Sequence, residues 1–206
     1  DLTWDELVYL AKISSKFDSN NILSVSLNDV PYSEGGFLYT PPREEFAGAS
    51  VLLPSYRKQN SDTYTEIKKF IKLFFYKTEL YKQKTPLHIL NGTKIPGLAS
   101  DTLYMLSRYG FNVVRYGNAL NRDGLENAIY IKPQYDDKGN MQNDNIEKND
   151  TVNLLKDFLP ITQSQMTINT EYDSASFETE AEYIIVLGQD FADYMKENRE
   201  LFYYWE

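Results

Sequence analysis

A turn in the stretch Leu87 to Ala119, LHILNGTKIPGLASDTLYMLSRYGFNVVRYGNA, has residue types and spacing close to those of a phosphate-binding loop. Asn91, Gly92 and Thr93 follow an apolar run, and Gly97 precedes a segment with helical periodicity. Glycines at such a turn let backbone N–H groups approach a phosphate. A phosphate cradle is therefore the first chemistry to consider at this turn.

The turn lacks the residues on which a P-loop depends. A P-loop carries Lys directly after its second glycine, to reach the terminal phosphates, and then Ser or Thr for magnesium. Here Leu98 and Ala99 follow Gly97, and Gly92 and Gly97 also miss the dinucleotide-binding spacing. What remains is a helix N-terminus whose free amides could hold an anion, together with Lys94, Gly97 and Leu98. The alternative is a structural turn in which Gly92 adopts a positive φ.

Other side chains suited to chemistry are few. His88 is the only histidine and the chain has no cysteine, so no zinc set of His and Cys can be assembled, and the sequence identifies no Ser and Asp partners for His88 in a nucleophilic triad. We expect His88 to be a hydrogen-bonded structural or surface residue. The sequence predicts no catalytic residue, no metal site and no cofactor.

The polar stretch 134–149 contains hard oxygen donors, among them Asp136, Asp137 and Asp144. It lacks the spacing and the terminal Glu of a calcium loop. We therefore expect a mobile surface insertion rather than a cation site.

Composition narrows the class of protein. The chain has 206 residues and a formal net charge of −9, which argues against nucleic acid as a partner because that affinity needs clustered Lys and Arg. No apolar run approaches the ~20 residues of a membrane helix. Because the chain begins at Asp1 without methionine, we expect it to be a segment of a longer protein.

Residues 85–206 alternate element types. The patterns predict two helices and five strands in the order β-α-β-β-α-β-β, with Gly110 ending the first helix. A last helix is predicted with Asp190 as its cap, followed by an aromatic tail. The strands are expected at Leu87 to Leu90, FNVVRY, AIYIKP, QMTINTEY and EYIIVLG. The fold class is therefore α+β, a mixed sheet with helices packed on one face.

Residues 1–84 predict a smaller α/β segment. Thr3 and Glu6 have capping-box spacing before a helix whose inward face would include Trp4, Leu7 and Val8. ILSVSL and ASVLLPS read as short strands. A second helix follows the pair Thr63 and Glu66. Its expected inward residues are Ile67, Phe70, Ile71 and Phe74, and its expected solvated residues are Lys68, Lys69 and Lys72. The polar run ending at Pro86 gives the predicted boundary between domains 1–84 and 85–206.

The second half resembles the LytR C-terminal domain. That module shows a strand running into L-N-G-T, then G-L-A, G-F-x-V-V, G-N-A and a terminal V-L-G-x-D. These motifs match at Leu90 to Thr93, Gly97 to Ala99, Gly110 to Val114, Gly117 to Ala119 and Val186 to Asp190. The matched residues include Asn118 and Asp190, while Lys94 stands where a glycine is frequent and the stretch 134–149 is an added insertion.

The first half is similar to the closing helix and strands of a LytR-CpsA-Psr catalytic domain. The joint resemblance implies the C-terminal portion of a bacterial envelope protein, anchored by an upstream membrane helix and facing the cell wall. Family members transfer phosphate-linked glycopolymers from polyprenyl carriers, using Arg, Asp and magnesium. Those residues would lie upstream of Asp1, so none is carried over to this chain.

The resemblance favours a non-catalytic, extracytoplasmic accessory module that binds cell-wall polymer or an envelope protein. Two alternatives stay open. One is a domain that binds phosphate or polyprenyl phosphate at the Gly97 helix N-terminus. The other is a protein-interaction domain that docks through its aromatic C-terminal tail.

Overall fold

The computed structural model describes residues 2–14, 22–55, 64–123, 126–142, 145–161, 163–165 and 180–197. Its helices are α1 (Trp4–Ser14), α2 (Thr65–Tyr76), α3 (Thr78–Gln83), α4 (Leu98–Arg108), α5 (Asp150–Phe158) and α6 (Gln189–Glu197). Its strands are β1 (Leu38–Tyr39), β2 (Leu53–Pro54), β3 (Pro86–Asn91), β4 (Asn112–Asn118), β5 (Ala128–Ile131), β6 (Gln163–Gln165) and β7 (Tyr183–Leu187). Within these ranges, no helix has the length and apolar character needed to cross a bilayer.

A five-stranded mixed sheet organises the second half, in the order β4-β3-β7-β5-β6. Strands β4, β3 and β7 are mutually parallel, β5 runs antiparallel to β7, and β6 runs parallel to β5. Every residue of β5 and β7 is buried, as expected for central strands covered on both faces. The predicted α+β class with a mixed sheet is confirmed.

The two faces of the sheet pack differently. Leu87 and Ile89 of β3 and Ile185 of β7 belong to a large cluster that also contains buried side chains from α2 through α6. Leu90 and Ile184, which alternate with them, belong to a second, smaller cluster supplied by strand residues and Ala119. Because period-two alternation sends neighbouring side chains to opposite faces, helices α2 to α6 pack on one face, as predicted.

Helix α4 ends where the sequence predicts. Gly110 has φ +82°, and its N–H donates to Ser107 O at 2.9 Å while Phe111 N donates to Leu106 O at 3.1 Å. This is the Schellman pair of hydrogen bonds, which satisfies the last carbonyls of a helix and favours glycine in the left-handed conformation. The turn delivers the chain directly into β4.

The first half departs from its predicted elements. The capping box of α1 forms, with Thr3 N donating to Glu6 Oε2 at 2.8 Å, but α1 buries none of its residues and Trp4 is 82% exposed. Residues 22–28 form no strand; β1 pairs with β2, and its contact with this run is the single hydrogen bond from Leu38 N to Asn28 O among those between described backbone groups. Alternation alone predicts a strand, but a ladder also requires a neighbour.

Helix α2 is shifted slightly from its predicted face. Ile67, Phe70 and Leu73 are buried, whereas Ile71 is 43% exposed. Leu73 takes the inward position because it follows Phe70 by three residues, which keeps it on the same helix face. Lys68, Lys69 and Lys72 are exposed, as predicted. Thr63 lies outside the described residues.

The run before Pro86 is helical rather than a plain linker. Helix α3 buries Tyr81, and the same hydrophobic cluster contains Phe37 from the first half and Leu87 from the second. One hydrophobic core thus contains residues from both sides of residue 84. The division into domains 1–84 and 85–206 stays a prediction.

Two predictions near the C-terminus are modified. Asp190 lies inside the first turn of α6, which begins at Gln189, so it is not the cap. Most of QMTINTEY and the aromatic tail lie outside the described residues.

Candidate functional site

The turns of the second half that carry the matched motifs meet at one edge of the sheet. Asn91 at the end of β3 lies opposite Asn118 of β4 on one side and Leu187 of β7 on the other. Because these three strands are parallel, their carboxyl ends share an edge, and α4 and α6 both begin there. In open α/β sheets ligands bind at this edge. We call it the motif edge.

Asn91 and Thr93 fold the turn with their own side chains. Asn91 Oδ1 accepts hydrogen bonds from Thr93 N at 2.9 Å and Thr93 Oγ1 at 2.8 Å, and Asn91 Nδ2 donates to Ile95 O at 2.8 Å. Both side chains are at most 2% exposed. Such local side-chain bonds replace the ladder where the strand ends. The polar groups of these two residues are therefore used to build the turn.

The backbone of the turn joins the neighbouring motifs. Ala119 N donates to Asn91 O, and Gly92 N donates to Leu187 O, both at 2.9 Å. These bonds tie the three motif segments, which are distant in the sequence, into one backbone unit. Buried backbone N–H and C=O groups need hydrogen-bond partners. The motif residues therefore have a structural role, which is to bring these backbone groups together.

The positive φ predicted at Gly92 is wrong; Gly97 has it instead, at φ +85°. Gly92 continues the ladder between β3 and β7, so its backbone stays extended. The chain reverses at Gly97, whose carbonyl accepts from Ser100 Oγ at 2.7 Å and Asp101 N at 2.9 Å. The glycine requirement lies at the helix entry, because only there does the turn need a left-handed residue.

The residues predicted to hold an anion lie together, but acidic groups accompany them. Lys94 Nζ is 2.7 Å from Asp123 Oδ1, and both side chains are more than 70% exposed. The hydrogen bond and charge of Lys94 hold the pKa of Asp123 below its usual range. Asp101 lies in the first turn of α4, and the Leu98 side chain is buried in the core. Lys94, the basic group that the sequence predicts for an anion site, is thus already paired with a carboxylate.

Two residues of the motif edge were missed by sequence reasoning. Arg122 Nε donates to Thr93 O at 2.7 Å, and the buried Asn127 Oδ1 accepts from Gly188 N at 2.6 Å. Both lie between β4 and β5, in a stretch without periodicity. Their place follows only from β5 being antiparallel to β7, which brings the start of β5 back to this edge.

Asn118 and Asp190 are the matched motif residues that face solvent at this edge. Asp190 lies in the first turn of α6, where a negative charge is favourable next to the helix N-terminus. Within the described ranges neither side chain takes part in the hydrogen bonds that fix Asn91 and Thr93, and both are exposed, so a partner can reach them.

The other sequence candidates provide no reactive group. His88 is 1% exposed in β3, so it is a structural residue and not a surface one. Asp136 accepts from Lys138 N at 2.9 Å and from Asn140 N at 2.8 Å, and the Asn140 bonds hold its pKa below the usual range. Across the part of the chain that the structure describes, no three His, Asp or Glu side chains are grouped to hold a metal ion. Asp144 lies outside that part.

A shallow groove of about 330 Å³ borders the motif edge between α4 and α6. Its lining mixes apolar residues such as Ile95 with Asp101, Asp193 and Lys196. The groove carries charges of both signs and no set of donors that converge on one point, so it does not by itself define a ligand.

A family model described as LytR cell envelope-related transcriptional attenuator matches residues 84–191, more than half of the chain. The chain belongs to this LytR C-terminal family. The matched range contains the whole motif edge, from Asn91 to Asp190. No curated protein and no solved structure matches the chain.

Membership of the LytR C-terminal family indicates the general role of the chain but not its ligand. The LytR C-terminal domain is a cell-envelope-related, non-catalytic domain family. The family resemblance of the second half is thereby confirmed. The geometry of the motif edge also explains the family's motif: its Asn, Gly and Thr residues build the junction of three parallel strands with two helices.

Proposed function

We propose that this chain is a non-catalytic, extracytoplasmic accessory module of a bacterial envelope glycopolymer transferase, and that it binds cell-wall polymer or an envelope protein. The observation that carries the proposal is the motif edge, a rigid junction that presents Asn118 and Asp190 to solvent. Rigid elements that display a few polar side chains suit recognition.

Several polar side chains at the motif edge already have hydrogen-bond or ion-pair partners within the protein, which favours a binding role over a catalytic one. The hydroxyl of Thr93 and the amide of Asn91 are consumed by the turn, and Lys94 is paired with Asp123. A nucleophile needs an adjacent base within hydrogen-bond reach. On this proposal the phosphotransfer chemistry and its magnesium ion belong to a domain upstream of this chain, together with the membrane anchor.

Co-sedimentation of the chain with purified bacterial cell wall tests the proposal. We expect binding that falls severalfold in the double variant Asn118→Ala with Asp190→Ala. The matched control is Asp137→Ala, which removes an exposed carboxylate away from the motif edge. Binding that is equal in all three proteins, or no binding to wall or to envelope proteins by cross-linking, would overturn the proposal.

The phosphate alternative uses the Gly97 helix N-terminus, and the N-terminus of α6 lies at the same motif edge. Their amides favour an anion, but Asp101 and Asp190 already occupy the first turns of these helices. Calorimetric titration with inorganic phosphate and polyprenyl phosphate separates the two functions. Saturable binding that is lost in Lys94→Ala would favour this alternative over the wall-binding module.

The protein-interaction alternative places the contact in the aromatic tail after residue 200, which lies outside the described residues. Truncation before Leu201 tests it. Reduced self-association with an unchanged melting temperature would support docking through the tail, whereas unchanged association would exclude it.

A further inference from the structure

Helices α2 and α3 carry a basic charge that the rest of the chain does not share. Residues 65–84 contain six lysines, no arginine and two glutamates, in a chain whose net charge is −9. Four of these lysines, Lys68, Lys69, Lys72 and Lys77, lie on or directly after α2 and are exposed.

The outward face of α2 is apolar as well as basic. Phe75 is 68% exposed, Tyr76 is 81% exposed and Ile71 is 43% exposed. Because residues three and four apart share a helix face, Phe75 lies beside Lys72 and Ile71. A contiguous group of large apolar side chains on a protein surface often marks an interaction site, so this face is a candidate for a contact with a partner.

The apolar surface extends beyond α2. A groove of about 470 Å³ separates Ile71 and Phe75 from the segment 22–27. Across it, Ile22 is 66% exposed and Leu27 is 39% exposed. The helix and this segment thus form one exposed patch, which we call the α2 patch.

The lysines around the patch are only partly neutralised. Lys69 Nζ is 3.4 Å from Glu66 Oε1, whereas within the described ranges Lys72 and Lys77 have no carboxylate within 4.0 Å. Asp157 lies on the rim of a second groove, of about 370 Å³, that Lys69, Lys72, Lys77 and Tyr76 line. The net charge of this surface is therefore positive.

We propose that the α2 patch binds the surface of an anionic phospholipid bilayer. Phe and Tyr side chains favour the boundary between headgroups and hydrocarbon, and lysine stems lie along apolar surface while their ammonium groups reach lipid phosphates. A polybasic surface beside them gains attraction from anionic headgroups.

Two other partners fit the patch less well. The cores of protein interfaces are depleted in lysine, whereas this patch has lysine as its only cation. A hydrated anionic polymer would neutralise the lysines but would leave Ile71, Phe75 and Ile22 in water. Of these three partners, an anionic bilayer matches both the positive charge and the exposed apolar side chains of the patch. This inference does not depend on the proposed wall binding.

Vesicle flotation with the full chain tests the proposal. Vesicles of phosphatidylcholine are compared with vesicles that also contain phosphatidylglycerol, at low and high salt. We expect binding only with phosphatidylglycerol, weakened by salt as charge screening increases. Replacing Lys72 and Lys77 by Gln should weaken the partition coefficient roughly fivefold per lysine, because each contributes attraction of about 1 kcal/mol.

The apolar part is tested by Phe75→Ser combined with Tyr76→Ser, which we expect to weaken flotation to a similar extent. Matched controls are Lys148→Gln and Tyr135→Ser, an exposed lysine and a 60% exposed tyrosine in the insertion. These controls should bind as the unmodified chain does. Melting temperatures show that each variant is folded.

Three results would overturn the proposal. The first is flotation that does not depend on phosphatidylglycerol. The second is competition by soluble polyphosphate together with full binding by the Phe75→Ser and Tyr76→Ser variant, which would indicate a hydrated polyanion. The third is a concentration-dependent dimer in light scattering that this variant abolishes, which would indicate a second copy of the chain.

Discussion

The guanidinium carbon of Arg108 lies 4.4 Å from the centroid of the Phe37 ring, and Arg108 Nε donates to Gly36 O at 2.9 Å. Both side chains are at most 4% exposed. A buried cation over an aromatic face is favourable when it is also hydrogen-bonded. The end of α4 and the segment around Phe37 therefore belong to one core.

Replacing Phe37 by Ala should lower the free energy of unfolding by about 3–5 kcal/mol, because a fully buried ring leaves a cavity. Phe37 also packs at 5.1 Å, between ring centroids, from both Phe70 and Tyr109. Urea denaturation measures the change. Phe75→Ala is the control and should stay within about 0.5 kcal/mol, because Phe75 is largely exposed. Equal effects would show that the Phe37 segment is not docked in solution.

Gly110→Ala should cost more stability than Gly48→Ala, although both glycines have positive φ. A Cβ at Gly110 would lie 2.8 Å from Lys84 Nζ and 2.9 Å from Tyr81 Cε2, whereas nothing lies within 4 Å at Gly48. The left-handed backbone costs about 1–2 kcal/mol at each site. Crowding adds about 1–3 kcal/mol at Gly110 alone, measured as the difference between the two variants in thermal unfolding. Equal losses would contradict the packing described for Tyr81.

Asn127→Ala should destabilise the motif edge by about 1–3 kcal/mol, because Gly188 N would be left buried without an acceptor. Hydrogen exchange at the Gly188 amide should accelerate in this variant. Asn118→Ala is the control, because Asn118 is exposed on the same edge and should be neutral in stability. A slow Gly188 amide in Asn127→Ala would mean that another group accepts this hydrogen bond.

The ends of helices could be predicted from the sequence where they depend on hydrogen bonds between nearby residues. The end of α4 at Gly110 and the start of α1 at Thr3 follow from hydrogen bonds within a few residues, and both are confirmed. The predicted helices and strands of residues 85–161 are likewise confirmed, and α4, β5 and α5 bury the apolar side chains that predicted them.

The features that could not be predicted from the sequence depend on contacts between residues far apart in the chain. ILSVSL alternates like a strand, yet none of the strands in the described part of the chain pairs with it. Arg122 and Asn127 acquire their roles only when β5 turns back to the edge formed by β3 and β7. Gly92 and Gly97 are equally plausible as turn glycines in the sequence. Only the ladder bond from Gly92 to Leu187 decides between them.

The ion pair between Lys94 and Asp123 can be followed through the pKa of the Asp123 carboxyl, which Lys94 holds below its usual range. The pair therefore contributes to folding stability above the ordinary pKa of Asp, and this contribution is lost as pH falls through the lowered pKa. Carbon-detected NMR titration should show the lowered midpoint, and Lys94→Ala should raise it toward the ordinary value. Asp136 is the control. Its pKa is lowered chiefly by Asn140, so Lys94→Ala should leave it unchanged.

The same titration in inorganic phosphate separates a structural pair from an anion site. If Lys94 stays with Asp123, millimolar phosphate leaves the Asp123 midpoint where it was, which is the result we expect. If phosphate takes Lys94, Asp123 loses its hydrogen bond and its counter-charge, and its pKa rises as in Lys94→Ala. Because the fraction of Lys94 bound to phosphate follows the occupancy of the site, the rise in the Asp123 pKa would grow with phosphate concentration and saturate. Saturation would show a phosphate site that includes Lys94, as the alternative at the Gly97 helix N-terminus requires.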